Sequence, residues 1–515
     1  MISITRFLFS LYSHAALSAL LLLLSGCDGG ASGNDASTAT PPPPTTVSFA
    51  PSSSLAARCA APRTGGNPFN NNQPFPDTLG TLANEKDWVR SWIDETYLWY
   101  KEVPNASALA YATPVDYFNV LKTPALTASG NPKDRFHFTY DTKVWQELSR
   151  TGVEAGYGVE WALISRSPPR KLVVAYTDPG TPAAAANLLR GAEVVSIDGV
   201  DFVNGADVAT LNAGAFPSDA GKQTTFVVRD AGALANRTVT MTSIAVTKMP
   251  VQNVHTIDTP TGRVGYILFN DHIATAEKQL VSAISQLGNA GISDLVLDMR
   301  YNGGGYLDIA AELGYMIAGP ERTNGRTFER LAFNDKNPFN FSAADTITPF
   351  HALTQGFSLP TKQALPSLGL SRVFVLTSSG TCSASEAVIN GLRGVDVDVK
   401  LIGGTTCGKP FGFYAQDNCG TTYFAIQFQG VNAKGFGEYT DGFTPTCSVA
   451  DDFSKPLGDP AEGRLAAALG LRASGTCPPP ASGTGYANLR YSTVGDPELI
   501  RSPARENRLI RLNKP

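Results

Sequence analysis

Histidine is scarce in this sequence, with five copies among 515 residues. The five are scattered without the spacing of a metal-ligand set, and the seven cysteines form no Cys-x-x-Cys pair. Structural zinc sites are built from closely spaced ligands of these two types. The sequence therefore predicts neither a metal site nor a cofactor. The histidines are His14, His137, His255, His272 and His351.

Phosphate-binding loops and an excess of positive charge are lacking as well. The chain contains neither Gly-x-x-x-x-Gly-Lys-[Ser/Thr] nor Gly-x-Gly-x-x-Gly, the loops that cradle nucleotide phosphates. Its 41 basic and 45 acidic residues give a net charge of −4. This balance argues against nucleic acid as a partner.

The first thirty residues have the organisation of an export signal. A basic start at Arg6 precedes an apolar stretch that ends at residues 21–24, and small residues follow. An uncleaved membrane helix is the alternative, but the apolar core is short for the ~20 residues of a bilayer span. Leu24-Ser25-Gly26-Cys27 matches the bacterial lipobox, which implies cleavage before Cys27 and a diacylglyceryl anchor on its sulfur. We therefore expect a lipid-anchored protein of the cell envelope that faces the periplasm.

Six cysteines remain after Cys27, an even number that favours disulfides in an oxidising compartment. Cys407 and Cys419 flank a predicted hairpin, so we predict that these two pair and stiffen the loop between them. The spacing alone leaves the other pairings open. The six are Cys59, Cys382, Cys407, Cys419, Cys447 and Cys477.

Ser383 lies where an apolar strand pattern gives way to a helical one. The run Arg-Val-Phe-Val-Leu-Thr ends at residue 377, so the Ser383 hydroxyl is expected at a strand-to-helix turn, where free backbone N–H groups gather. Serine becomes an effective nucleophile when a neighbour accepts its proton. The competing interpretation is that Ser-Ala-Ser-Glu is only a helix N-cap.

Lys409 is the candidate proton acceptor. Its sequence neighbours are apolar or small, and the nearest other charged residue is Asp417. Apolar surroundings lower the pKa of a lysine and so favour the neutral amine that a general base requires. A solvated loop lysine is the alternative interpretation.

A third segment contains three consecutive glycines. The pattern predicts a buried strand over residues 295–299, a tight loop over residues 302–305, and then a helix. Glycines allow main-chain N–H groups to approach a ligand closely, as an oxyanion hole requires. A phosphate loop is disfavoured because Asp298 would repel an anion.

Three motifs together resemble those of the C-terminal processing (tail-specific) serine endopeptidases: Asp-Met-Arg-Tyr-Asn-Gly-Gly-Gly (residues 298–305), Ser-Ala-Ser-Glu (residues 383–386) and Thr-Cys-Gly-Lys (residues 406–409). The resemblance implies an α/β, multi-domain fold with a ClpP/crotonase-like protease core. It also implies that Ser383 is the nucleophile, that Lys409 is the general base, and that the N–H groups of Ala384 and Gly304 form the oxyanion hole.

The third catalytic residue is not identified by this resemblance. Members with a Ser/Lys/Gln triad have the glutamine four positions after the lysine, where this chain has Phe413. Gln416 and Glu386 are the candidate substitutes. A Ser/His pair that uses His272 is a further alternative. The alternative function is a catalytically silent peptide-binding lipoprotein.

Residues 151–250 resemble a PDZ domain. A glycine loop at residues 156–158 precedes an alternating strand, an arrangement that captures a peptide C-terminus and adds the peptide to a sheet edge. Tyr157 and Gly158 are the groove candidates, and a sheet domain without a groove is the alternative. We expect protein or peptide substrates to be held through exposed C-termini.

The remaining segments complete a multi-domain organisation. A Pro-, Ser- and Thr-rich stretch cannot bury enough apolar area to fold. An aromatic stripe at helical spacing, which includes Trp88 and Trp92, predicts the core face of a helical domain that packs on the protease. The basic final segment either touches anionic lipid or is solvated. The predicted units are the signal peptide (1–26), disordered tether (27–57), helical domain (58–150), PDZ-like domain (151–250), protease core (251–478) and C-terminal tail (479–515).

Overall fold

The computed structural model describes residues 48–479, 498–500 and 508–509. The predicted signal peptide, the predicted lipidation site Cys27 and most of the predicted tether lie outside these residues. Among the residues described, none of the helices has both the length and the apolar character needed to cross a bilayer.

The N-terminal region is mainly helical and packs on the rest of the chain. Its longest helix begins after Thr81, whose hydroxyl accepts a hydrogen bond from the Asn84 N–H and so caps the first turn. Trp88 and Trp92 stack with centroids 5.6 Å apart, and both rings contact Tyr423 of a later strand. The longer elements are α1 (Leu82–Thr96), α2 (Pro114–Val120), β1 (Phe138–Asp141) and α3 (Thr142–Thr151). The shorter ones are helices Ser52–Leu55, Tyr100–Glu102 and Ala108–Ala110 and strands Arg58–Cys59, Gly66–Asn67, Gln73–Pro74 and Thr78–Leu79.

The middle region is a small, mainly antiparallel sheet domain. Its elements are β2 (Val153–Gly156), β3 (Val159–Ser165), β4 (Lys171–Thr177), helix Pro182–Ala185, β5 (Glu193–Ile197), strand Val200–Asp201, α4 (Val208–Ala215), β6 (Gln223–Arg229), β7 (Arg237–Thr242) and β8 (Ile244–Thr247). Five strands lie in the order β7-β6-β5-β4-β3, so β3 is the outermost strand that this domain itself contributes. Gly158, just before β3, has φ +72°, and a Cβ there would lie 2.4 Å from the Thr181 side chain, so the turn requires glycine.

The C-terminal region contains a six-stranded sheet between helices. Its elements to the end of the main body are β9 (Val251–Thr259), β10 (Gly262–Phe269), α5 (Ala276–Asn289), β11 (Asp294–Asp298), β12 (Gly305–Tyr306), α6 (Leu307–Ala318), helix Pro320–Thr323, β13 (Thr327–Phe333), strand Ile347–Pro349, β14 (Arg372–Thr377), α7 (Ala384–Gly394), β15 (Asp398–Gly403), β16 (Phe411–Gly412), β17 (Gln416–Asn418), β18 (Thr421–Phe424), β19 (Phe428–Val431), β20 (Cys447–Ser448) and α8 (Gly463–Ser474).

The sheet runs in the order β9-β10-β11-β14-β15-β20 and is parallel from β10 onward. Strand alternation divides its side chains between two cores. Leu295 and Leu297 of β11 pack with α5, α6 and α7, whereas Val296 packs on the opposite face with α8. All of β11 is buried, as its apolar pattern predicts. The predicted mixed α/β, multi-domain fold is confirmed.

Three disulfides are present among the described residues, and the predicted Cys407–Cys419 pair is wrong. Cys419 lies in the turn between β17 and β18, at φ +52°, and bonds Cys59 of the N-terminal region. Cys407 bonds Cys382, next to the candidate nucleophile. The hairpin prediction failed because β16 pairs with β19 and not with β17. The third bond joins Cys447 to Cys477.

Two pieces of the final segment add to sheets of the main body. β21 (Glu498–Ile500) extends the middle-domain sheet as the antiparallel neighbour of β3. β22 (Arg508–Leu509) pairs in parallel with β12. The sequence predicted a tail that is solvated or in contact with lipid. These residues instead pair with strands of the main body through their backbone groups.

Candidate active site

Ser383 lies at the end of the turn between β14 and α7, where the sequence pattern placed it. The residue is buried and has φ +59° and ψ −114°, a backbone conformation that L-residues rarely adopt. Strain of this kind persists only where the surroundings enforce it, and it is concentrated at functional sites. Two hydrogen bonds to Asn302 hold the turn: the Cys382 N–H and the Ser385 hydroxyl donate to its carbonyl oxygen at 3.1 and 3.0 Å.

Glu386 connects the serine turn to the lysine segment. Its Oε2 atom accepts hydrogen bonds from the N–H of Ser383 at 3.0 Å and from the N–H of Lys409 at 2.8 Å. Its Oε1 atom accepts from the Thr406 hydroxyl at 2.6 Å and from the Gly408 N–H at 2.8 Å. Since two of these donors share one oxygen, the backbone nitrogens of Ser383 and Lys409 are at most 5.8 Å apart.

The Glu386 side chain is fully buried. Burial raises the pKa of this carboxyl, and the hydrogen bonds from Thr406 and from three backbone N–H groups oppose the rise. The N-cap interpretation of Ser-Ala-Ser-Glu is therefore correct for Glu386 but incomplete, because the same carboxylate also fixes residues more than twenty positions later.

The Cys382–Cys407 disulfide joins the same two segments, with Cα atoms 5.1 Å apart. The Cys407 N–H also donates to the Thr381 carbonyl at 3.0 Å. The two sulfurs and a Glu386 oxygen lie close enough to suggest three ligands for a metal ion. Because the sulfurs are bonded to each other, neither is a thiolate, and the group is better explained as a covalent clamp.

The side chain of Lys409 lies in an aromatic pocket. Its Nζ atom is 4.7 Å from the centre of the Phe136 ring and 4.6 Å from that of Phe413, and the residue is fully buried. Phe413, which stands where a triad glutamine was expected, thus forms one wall of this pocket. The amide of Gln416, the other candidate third residue, donates to the Asp417 carbonyl at 3.4 Å within the β17–β18 hairpin. Of the two supporting candidates, Glu386 is the one whose contacts span both segments.

The glycine loop lies against the serine turn through Asn302. Gly304 and Gly305 have φ +109° and +131°, and a Cβ on Gly305 would come within 2.5 Å of the His272 carbonyl oxygen. The Gly304 N–H, a predicted oxyanion donor, donates at 3.0 Å to the Asn302 side chain. By contrast, the N–H groups of Gly303 and Ala384 have no acceptor among the residues that the structure describes.

His272 belongs to the support of the glycine loop. The Nδ1 atom of its ring lies 3.0 Å from Asn302 Oδ1, and its backbone N–H donates to the Gly304 carbonyl at 2.9 Å. Burial lowers the pKa of this imidazole to about 3, so the ring is neutral near pH 7. These contacts give His272 a positioning role.

A buried ionic cluster fixes the start of the glycine loop. Arg300 donates to Asp298 at 2.9 Å and to Asp451 and Glu462 at 2.7 Å each, with no exposure to solvent. Arg190 of the middle domain bonds the same Asp451 at 2.6 Å. Removing one member of such a cluster typically costs about 3–5 kcal/mol. The motif from Asp298 to Arg300 was recognisable in the sequence, but these partners were not, because they lie far away along the chain.

The two groove candidates of the middle domain have different roles. The Tyr157 side chain is buried against Phe226, with ring centres 5.6 Å apart, so it belongs to the domain core. Gly158 shapes the turn before β3 and its carbonyl accepts from the Asp178 N–H at 2.8 Å. β3 itself is the outermost strand that the middle domain contributes to its sheet, and β21 pairs with its outer side.

Comparison with known families fits this geometry. Residues 263–414, which contain the glycine loop, the serine and the lysine, match the family described as Peptidase family S41. Residues 84–140 match the Peptidase S41 N-terminal domain. The chain carries the domains of the S41 peptidases. The predicted relationship to the C-terminal processing peptidases is thereby confirmed.

Individual S41 relatives are similar over part of their length. A carboxyl-terminal-processing protease from Synechocystis is 26% identical over 266 residues, which cover 51% of this chain and 55% of the relative. One from Picosynechococcus is 31% identical over 137 residues, covering 26% and 32%. The chain thus spans about half or less of these relatives. A crystal structure assigned to the S41 proteases, from Bacteroides fragilis, covers 78% of this chain and 98% of its own, with a TM-score of 0.59 and 23% identity.

Proposed function

We propose that this protein is a serine endopeptidase of the C-terminal-processing type, with Ser383 as nucleophile and Lys409 as general base. The observation that carries the proposal is the convergence of the Ser383 and Lys409 N–H groups on a single carboxylate oxygen of Glu386. The disulfide one residue before the serine and two before the lysine supports the same pairing.

Acylation follows from this arrangement. The Ser383 Oγ attacks the carbonyl carbon of the scissile peptide bond while its proton passes to the neutral Nζ of Lys409. The tetrahedral intermediate then collapses, the C–N bond breaks, and the new amine takes the proton from the lysine ammonium. In the second half, water gives a proton to Lys409 and attacks the ester carbonyl, which releases the second product and returns the proton to Ser383.

The environment of Lys409 favours the neutral amine that this cycle needs. A fully buried ammonium has lost its hydration, and burial disfavours the charged form of lysine. The Phe136 and Phe413 rings attract a cation more weakly than water solvates it, so they only partly offset that cost.

We assign the oxyanion hole to the N–H groups of Ala384 and Gly303. Ala384 is the first residue of α7, where N–H groups have no partner within the helix. Gly303 replaces the predicted Gly304 because the Gly304 N–H is already engaged by Asn302. Donors of this kind stabilise the charge that develops on the carbonyl oxygen.

The proposal predicts a covalent intermediate on Ser383. We expect acid quenching during turnover of an unfolded protein substrate to trap an ester, detected by mass spectrometry as an acyl adduct on the peptide that contains Ser383. Turnover without an adduct on that peptide, under conditions that accumulate intermediates in other serine peptidases, would contradict the mechanism. Absence of any turnover would favour the catalytically silent peptide-binding lipoprotein.

The proposal extends to substrates and location. Protein substrates would enter through exposed C-termini that add to the edge of β3, and the chain would be held at the cell envelope by a lipid on Cys27. The lipobox sequence and the three disulfides of the described region support an exported, anchored protein.

Cys27→Ala tests the anchor. We expect the full-length protein to sediment with membranes when expressed with its own leader, and the variant to lose this association because it lacks the acceptor sulfur. Ser32→Ala serves as the control, since it alters a nearby residue and keeps the Cys27 sulfur. Equal membrane association of the wild type and Cys27→Ala would refute lipid attachment.

A further inference from the structure

Two described pieces of the final segment, β21 and β22, pair with strands to which a substrate peptide could add. β21 pairs with the edge strand of the middle domain in antiparallel register, with Glu498 opposite Leu163 and Ile500 opposite Trp161. An edge strand has a row of N–H and C=O groups that pair readily with an extended peptide. Here the chain itself supplies that peptide.

The second contact lies at the end of the glycine loop. β22 pairs with β12, so that Gly305 lies opposite Arg508 and Tyr306 opposite Leu509. The Cα atoms of β22 also come within 8 Å of those of β16, which begins two residues after Lys409. β22 therefore lies close to both the glycine loop and the lysine segment, which form the two sides of the proposed substrate-binding cleft.

We propose that residues 498–500 and 508–509 are a built-in ligand of these two sites, so that the chain competes with its own substrates. The inference rests on the proposed function, because the cleft is a substrate site only if the protein is a peptidase. Backbone pairing carries both contacts, as it would for an unfolded substrate of varied sequence. The segment is tethered, so it binds at a high effective concentration even if each contact is weak.

The test removes backbone donors within the intact chain. In a Leu499→Pro, Leu509→Pro variant, proline cannot donate to either strand pair. Leu499→Ala, Leu509→Ala is the matched control, which shortens the same side chains and keeps the N–H groups. If the segment fills the cleft for about nine-tenths of the time, we expect the proline variant to show a KM about tenfold lower with kcat unchanged.

A synthetic peptide of residues 496–511 completes the test. Added to the proline variant, it should inhibit competitively and restore the higher KM. A fluorescent form of the peptide should bind a Ser383→Ala protein that also carries the two proline substitutions. It should bind more weakly to a Ser383→Ala protein whose tail has the wild-type sequence. This binding measurement does not require catalysis.

The outcomes separate the two hypotheses. Equal KM values for the wild type and the proline variant, together with no peptide binding, would overturn the built-in ligand. Peptide binding that is stronger in the proline variant would support it even if neither protein cleaves any substrate, in which case the peptidase proposal alone would fail.

Discussion

Replacing Ser383 by alanine is expected to lower kcat/KM toward an unfolded, fluorescently labelled protein by roughly 10⁶-fold, the scale found when a serine peptidase loses its nucleophile. The loss is expected because the Ser383 Oγ is the atom that forms the proposed acyl-enzyme ester, and alanine has no such oxygen. The backbone should tolerate the change, since alanine meets the same steric cost as serine at φ +59°. We expect the free energy of unfolding to change by no more than about 1 kcal/mol.

Ser385→Ala is the matched control for this prediction. It removes a hydroxyl two residues away that donates to the Asn302 carbonyl at 3.0 Å. Loss of one such hydrogen bond typically costs about 1 kcal/mol, so we expect a decrease in kcat/KM of at most about tenfold. If the two variants lost activity equally, the effect of Ser383→Ala would reflect the geometry of the turn and not the loss of a nucleophile.

Local patterns predicted the position of Ser383 because strand and helix periodicities change on either side of it. The same holds for β11, where the predicted strand 295–299 differs by one residue at each end from Asp294–Asp298. Periodicity reports which side chains face a core, and that information is local.

Sequence reasoning failed where the answer depended on distant partners. Cys407 and Cys419 are near each other in sequence, but their partners are set by how β16 and the β17–β18 hairpin pack. A contact close in sequence was not predicted either: the Gly304 N–H, a predicted oxyanion donor, donates to the Asn302 side chain at 3.0 Å. The strand pairing of residues 498–500 and 508–509 had no local signal, because short strands in a basic segment give no period to detect.

Replacing Lys409 by methionine is expected to lower kcat/KM by about 10⁵-fold, close to the effect of removing the nucleophile, because the two groups act as one unit. Methionine is an unbranched side chain that packs well against aromatic rings, so it should fit between Phe136 and Phe413 and keep the protein folded. Thermal unfolding should show no decrease in Tm. Lys434→Met, which alters an exposed lysine paired with Asp396, should retain wild-type activity.

Lys409→Arg distinguishes a base from a structural cation. A guanidinium stays protonated in proteins and cannot accept the serine proton, so this variant should be nearly as inactive as Lys409→Met. In the wild type, activity should fall as the pH is lowered because protonation of the amine removes the acceptor. His272 cannot account for such a fall near neutrality, since its pKa is about 3. Full activity of Lys409→Arg would mean that the site needs a positive charge and that the proton acceptor is another group.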